Sequence, residues 1–136
     1  MSQEQYSTDA KRWFLQARSD VKAARDSRAA GNHDWACFQA QQAGEKALKA
    51  LWLARGLDPW GHSLAKLIQT FPEPVLAAEL TRLLDLAKQL DKLYIPTRYP
   101  NGLPDLTPAE VYTAAEADAA IAAADRILAA VGPRLG

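Results

Sequence analysis

The sequence predicts an all-α protein, an antiparallel up-and-down bundle of four long helices and one short one. Three observations carry that prediction. Apolar residues recur at steps of three and four through the long stretches, and nothing alternates as a strand would. Ala, Leu, Gln, Glu and Lys, which favour helix, dominate those stretches. The connections between them are mostly short and marked by Gly or Pro, which suits antiparallel neighbours. A chain of 136 residues is expected to form a single domain over residues 1–136, large enough for a hydrophobic core without disulfides.

Residues 1–7 are polar and are expected to be frayed. Thr8 or Asp9 caps a first helix to about Ala30, with Phe14, Ala17, Val21 and Ala24 facing inward. Its other face, with Lys11, Arg12, Arg18, Lys22, Arg25 and Arg28 against Asp9, Asp20 and Asp26, reads as a solvated surface. Gly31 and Asn32 make the turn. The second helix, His33 to Gly56, organises the rest. Asn32 is placed to cap its start and Gly56 to stop it. Its small residues Ala36, Ala40, Ala43, Gly44, Ala47, Ala50 and Ala54 fall on one side, where another helix can pack close. The opposite side carries Phe38, Glu45, Lys49 and Trp52, with Gln41 and Gln42 beside them. Two large aromatics enclosing a Glu and a Lys suit neither water nor a plain core. That face is expected to meet a partner subunit, a ligand, or both. The plainer alternative is an ordinary i,i+4 ion pair between Glu45 and Lys49.

His62 or Ser63 opens a short third helix on Leu64, Leu67, Ile68 and Phe71, which Pro72 ends. Pro74 starts the next, predicted unbroken to about Tyr94 on Leu76, Leu80, Leu83, Leu84, Ala87, Leu90 and Leu93. Ile95 to Pro108 holds four prolines and one glycine, a stiff loop of a kind that often carries function. Thr107, Pro108 and Glu110 form a capping box for the last helix, predicted from Ala109 to about Val131, with Gly132 and Pro133 beyond it.

Composition excludes several classes. Lys plus Arg and Asp plus Glu both number 16, which argues against a protein built mainly to coat nucleic acid. The lone Cys37 cannot form an internal disulfide, which fits a reducing cytoplasm, and it reads as a small buried hydrophobe. The N-terminus has no apolar signal region, and no apolar run is long enough to span a membrane. Two distant histidines and one cysteine give no zinc spacing, and no Gly-rich phosphate loop is present, so neither a metal nor a cofactor is expected.

Among single residues, Arg98 on the proline-stiffened loop is the leading candidate, a preorganised fork for phosphate. The alternative is an ion pair with Asp91 or Glu45. Tyr99 is placed to stack on a base or to pack. Lys46 and Lys49, one turn apart, could face a phosphate or simply solvent. Glu45 would orient Arg98 or Lys49, and His62 would cap or cross-link the bundle. Arg98, Tyr99, Lys46 and Lys49 are expected to line one cleft beside Glu45. Phe38 and Trp52, together with Trp60, motivate a homodimer interface.

Gln39–Leu51 (QAQQAGEKALKAL), His62-Ser63-Leu64 and Leu93–Asn101 (LYIPTRYPN), in this order and spacing, resemble the HEPN domain family from about Trp13 to Val131. The resemblance implies a helical bundle that usually dimerises. It implies further that a small member of this kind partners a minimal nucleotidyltransferase, often as a toxin–antitoxin pair, and takes a nucleotide or RNA ligand. Many other members are metal-independent ribonucleases with Arg, four to six residues, then His. This chain departs from that pattern: Leu103, Pro104 and Asp105 stand where the histidine would follow Arg98. The expectation is therefore a non-catalytic nucleotide-binding or nucleotidyltransferase-partner dimer. The alternatives are a ribonuclease using Arg98 with another proton-transfer group, and a purely structural dimerisation module.

Overall fold

The computed structural model describes residues 1–136. It is all helical: α1 Gln3–Ala29, α2 His33–Ala54, α3 Leu64–Gln69, α4 Pro74–Leu80, α5 Leu84–Asp91, α6 Pro108–Val111 and α7 Ala114–Val131. No strand forms, and no helix is long and apolar enough to cross a membrane.

The first helix begins earlier than its sequence suggests. Ser2 accepts from the Gln5 amide and Gln5 reaches back to Ser2, a complete capping box, so residues expected to fray are helical from Gln3. Its outer face is also less free than expected. Arg28 Nε donates to Asp118 at 2.8 Å, and Arg25 pairs with Asp125, which ties α1 to α7.

The central element is α2, which packs against α1, α3, α5, α6 and α7. Fourteen of its 22 residues are buried, and the side expected to meet a partner or a ligand is covered in good part by this chain's own Trp13, His62 and Phe71. Ala36, Ala40, Ala43 and Ala47 form one wall of the core. At Gly44 the approach is so close that a Cβ would lie 2.6 Å from Leu64 Cδ2 and 3.0 Å from Leu90 Cδ1. Gly56 ends the helix in the left-handed region (φ 71°), where an L side chain would be strained. Asn32 stands at the cap position but makes no side-chain cap bond.

Two predicted long helices are interrupted. Between α4 and α5 the chain tightens to a 3-10 turn at Thr81–Leu83. Thr81 Oγ1 bonds back to the Ala77 carbonyl at 3.0 Å, a competition with the helical ladder that bends helices. The helix also ends at Asp91, short of Tyr94. The last helix is broken at Tyr112 and Thr113, whose ψ values of 135° and 161° are extended. Thr113 and Glu116 form a second capping box directly after that of Thr107 and Glu110. The pattern T-x-x-E therefore occurs twice in ten residues, and each occurrence starts its own helix.

Candidate functional site

Arg98 sits on the loop after α5, and the loop is held by its own bonds. Buried Thr97 donates from Oγ1 to the Leu93 carbonyl at 2.6 Å, and the Arg98 amide donates to the Ile95 carbonyl at 3.0 Å. Gly102 folds back against Pro96 closely enough that a Cβ would lie 3.4 Å from Pro96 Cα. The i,i+4 spacing of Tyr94 and Arg98 lets Arg98 Nε donate to the Tyr94 carbonyl at 2.9 Å. The guanidinium lies 4.4 Å from the ring centre of Phe38, 4.8 Å from that of Tyr94 and 5.3 Å from that of Tyr99. Three aromatic faces thus hold the cation by cation–π attraction. Its two Nη nitrogens make no hydrogen bond or ion pair. The sequence had offered two carboxylates as partners, and neither is used. Asp91 instead accepts from Ser63 Oγ and the Leu64 amide, each at 2.7 Å, and from the Ala65 amide at 3.2 Å, capping α3.

Glu45 belongs to a buried row along α2. Its Oε2 lies 3.2 Å from Lys49 Nζ and 3.3 Å from His62 Nδ1, and its Oε1 accepts from Gln41 Nε2 at 3.2 Å. Glu45 is 4% exposed, Lys49 8% and Gln41 0%, whereas the His62 side chain reaches solvent. Lys49 also lies 5.7 Å from the Trp13 ring centre. His62 stacks on Tyr94 with ring centres 4.8 Å apart and planes at 19°. Tyr94 is therefore a shared platform, and the imidazole and the guanidinium lie within twice 4.8 Å of each other.

The expected cleft forms only in part. Arg98, Tyr99, His62 and Glu45 come together through Tyr94 and Phe38. Lys49 joins from below, but its ammonium is engaged by Glu45 and covered by Trp13. Lys46 turns away from Arg98 toward α1, 2.6 Å from Asp20, and lines a separate depression with Arg12, Trp13 and Gln16. Trp52, expected at an interface, packs inward: Nε1 donates to the Leu67 carbonyl at 3.1 Å and its ring meets the Phe71 ring edge-on at 5.5 Å. Phe38 stays at the surface beside half-exposed Trp35, their ring centres 6.2 Å apart. Arg98 is half-buried on a surface rimmed by the aromatic rings of Phe38, Tyr94 and Tyr99. Sequence reasoning missed Tyr94 and Gln41 as organisers. For Tyr94 the available signal was its position four residues before the arginine.

No three His, Cys, Asp or Glu side chains converge in a way that could hold a metal ion. The Cys37 thiol is fully buried and is pushed up to about 12, first by burial and then by the carboxylates of Glu116 and Asp34. Such a thiol is inert at neutral pH.

The HEPN domain family model matches residues 10–134. Among solved structures, TT1696 from Thermus thermophilus is 47% identical, with a TM-score of 0.86 over 92% of this chain and 97% of that one. The archaeal HEPN homologue ST0689 is 35% identical, with a TM-score of 0.78 over 93% and 98%. An HEPN domain protein from Thermotoga maritima, tm0613, is 27% identical, with a TM-score of 0.65 over 90% and 95%. No curated protein matches the chain.

Proposed function

The chain belongs to the HEPN domain family, and on that footing we propose that it is a homodimer that binds the phosphate of a nucleotide or RNA segment at Arg98 without turning it over. One observation carries this reading: a guanidinium clamped by Phe38, Tyr94 and Tyr99 keeps two Nη groups that no residue of the chain engages. Such a fork is preorganised for two parallel bonds to phosphate oxygens, and half-exposed Tyr99 offers a face to a base. HEPN domains commonly dimerise. The exposed Trp35 and Ile95 beside Arg98 are the residues we assign to the partner copy, leaving the Tyr99 face to the ligand. The partnership with a minimal nucleotidyltransferase, in a toxin–antitoxin-type pair, rests on the family resemblance. The test is titration with AMP and a short RNA. Arg98→Ala should weaken binding about tenfold or more, the loss of one charge-assisted fork. The control Arg18→Ala, on the exposed face of α1, should change nothing. Binding that survives Arg98→Ala unaltered sinks the reading.

One observation favours a second reading, a ribonuclease. His62 shares the Tyr94 platform with Arg98 and is oriented by Glu45. There His62 would take the proton of a ribose 2′-hydroxyl as that oxygen attacks the adjacent phosphorus. Arg98 would hold the charge on the phosphoryl oxygens while the 5′-oxygen leaves and takes up a proton. Cleavage of RNA but not DNA, lost in both His62→Ala and Arg98→Ala, would establish this reading over the first.

A further inference from the structure

A second cationic groove lies between α4, the Thr81–Leu83 turn and the C-terminal end of α7. Its volume is about 490 Å³. Arg82 enters from the 3-10 turn, Arg126 from α7 and Arg134 from the 3-10 extension that follows it. Arg134 is fixed in place. Its Nε and Nη2 hold Glu79 Oε2 at 3.2 and 2.8 Å, its Nη1 donates to the Ala130 carbonyl at 2.5 Å, and its own carbonyl accepts from Arg55 Nη1 at 2.9 Å. Glu79 is thereby neutralised. Arg82 and Arg126 make no ion pair and no hydrogen bond, yet they line the same groove. The rest of the lining is apolar: Ala129 and Ala130 at the surface, with the edges of buried Leu80 and Leu83 beneath. Three arginines against one carboxylate leave the groove two positive charges in excess, in a chain whose formal net charge is zero.

Two unpaired guanidiniums from separate elements on one groove leave it with uncompensated positive charge, which favours an anion there. The surplus matches one dianion, and a phosphate monoester carries about −1.5 to −2 at neutral pH. The apolar lining adds a preference for an organic body on that phosphate. We infer that this groove binds a small organic phosphate monoester, with Arg82 and Arg126 on the phosphoryl group and the organic portion on the apolar lining around Ala129 and Ala130. The site is independent of Arg98, which takes no part in lining it.

The test uses the full chain carrying Arg98→Ala, which silences the loop surface. Phenyl phosphate and inorganic phosphate are titrated by calorimetry, and the arginine Nε–H signals are followed by NMR. Phenyl phosphate should saturate with one site per chain and bind more tightly than inorganic phosphate. Arg82→Gln with Arg126→Gln should weaken it about tenfold or more, and Arg126→Lys, which keeps the charge but not the fork, by less. Both residues are exposed, so a thermal melt should show these variants folded. No saturable binding, or binding indifferent to the Arg82 and Arg126 substitutions, overturns the assignment. Equal affinity for the two probes overturns its organic part. Failure of AMP or RNA to respond to Arg98→Ala bears on the loop reading alone.

Discussion

Replacing Glu45 by Gln should be the most informative single change in this molecule. The carboxylate serves three donors, and the side chains of Glu45 and Lys49 are 5% and 10% exposed. An amide of the same shape keeps the packing but removes the charge that Lys49 faces. Breaking a buried ion pair from one side costs about 3–5 kcal/mol. The Trp13 face over Lys49 is present before and after the change and drops out of the difference, so the lower end of that range is a floor. The expected loss is therefore at least about 3 kcal/mol, or roughly 10 °C in Tm for a domain of this size. The assay is urea unfolding at pH 7 of the wild type, Glu45→Gln, Lys49→Met and the double variant. In the double variant no orphan charge remains, and stability should return to within about 1 kcal/mol of the wild type. The reasoning is refuted if Glu45→Gln costs less than about 1 kcal/mol, or if the two single losses simply add.

Three further outcomes are expected. Gly44→Val should cost about 2 kcal/mol or more in urea unfolding, since its Cβ alone would press on Leu64 and Leu90 in a full core. Asp91→Ala removes three bonds at the start of α3 and should cost about 1–2 kcal/mol, with faster proteolysis between Gly56 and Ser63. Cys37 should resist Ellman's reagent at pH 8 until the protein unfolds. Because its folded thiol lies at about 12, above the ordinary value of 9.0, the unfolded state loses its proton first. The stabilising contribution is therefore whole below pH 9 and declines as pH rises toward 12, visible as a steeper fall of stability in the wild type than in Cys37→Ala, where the raised Tyr6 and Tyr112 hydroxyls still contribute.

Much of this was legible in the sequence because helix ends are chemically marked. Gly56, Ser63, Pro74 and Thr107 each stop or start a helix as their residue types predict. The breaks that were missed carried marks as well, hidden by stronger patterns. Thr113 and Glu116 lie within a run of alanines whose helical spacing continues across the gap. Ser2 and Gln5 lie in a polar terminus that offers no apolar stripe to align them with. The site was legible to the level of the loop, since the prolines around Arg98 announce a fixed position. The lysines were not. Periodicity gives the angle at which Lys46 and Lys49 leave α2, but not which neighbour covers that angle. Asp20 takes one, and Glu45 with Trp13 takes the other.

The seam between α1 and α2 is lined by Ala17, Val21 and Ala24 on one helix and by Ala36, Ala40, Ala43 and Ala47 on the other. Small residues repeated every turn make a smooth rail. A slide of one turn, about 5.4 Å, would bury nearly the same surface, so apolar contact alone barely distinguishes the two alignments. What tells them apart are contacts that do not repeat. Tyr6 meets Asp58 at one end, Trp13 covers Lys49, Asp20 meets Lys46 in the middle, and the Ser27 hydroxyl meets the Gln39 amide at the other end. They work like the marks of a vernier, coinciding together at a single offset. Each surface pair adds little to stability, yet a misaligned seam forfeits all of them at once and leaves Lys49 without its aromatic cover. The polar spacing along α1 thus carries the alignment of the bundle, while the alanines carry its closeness.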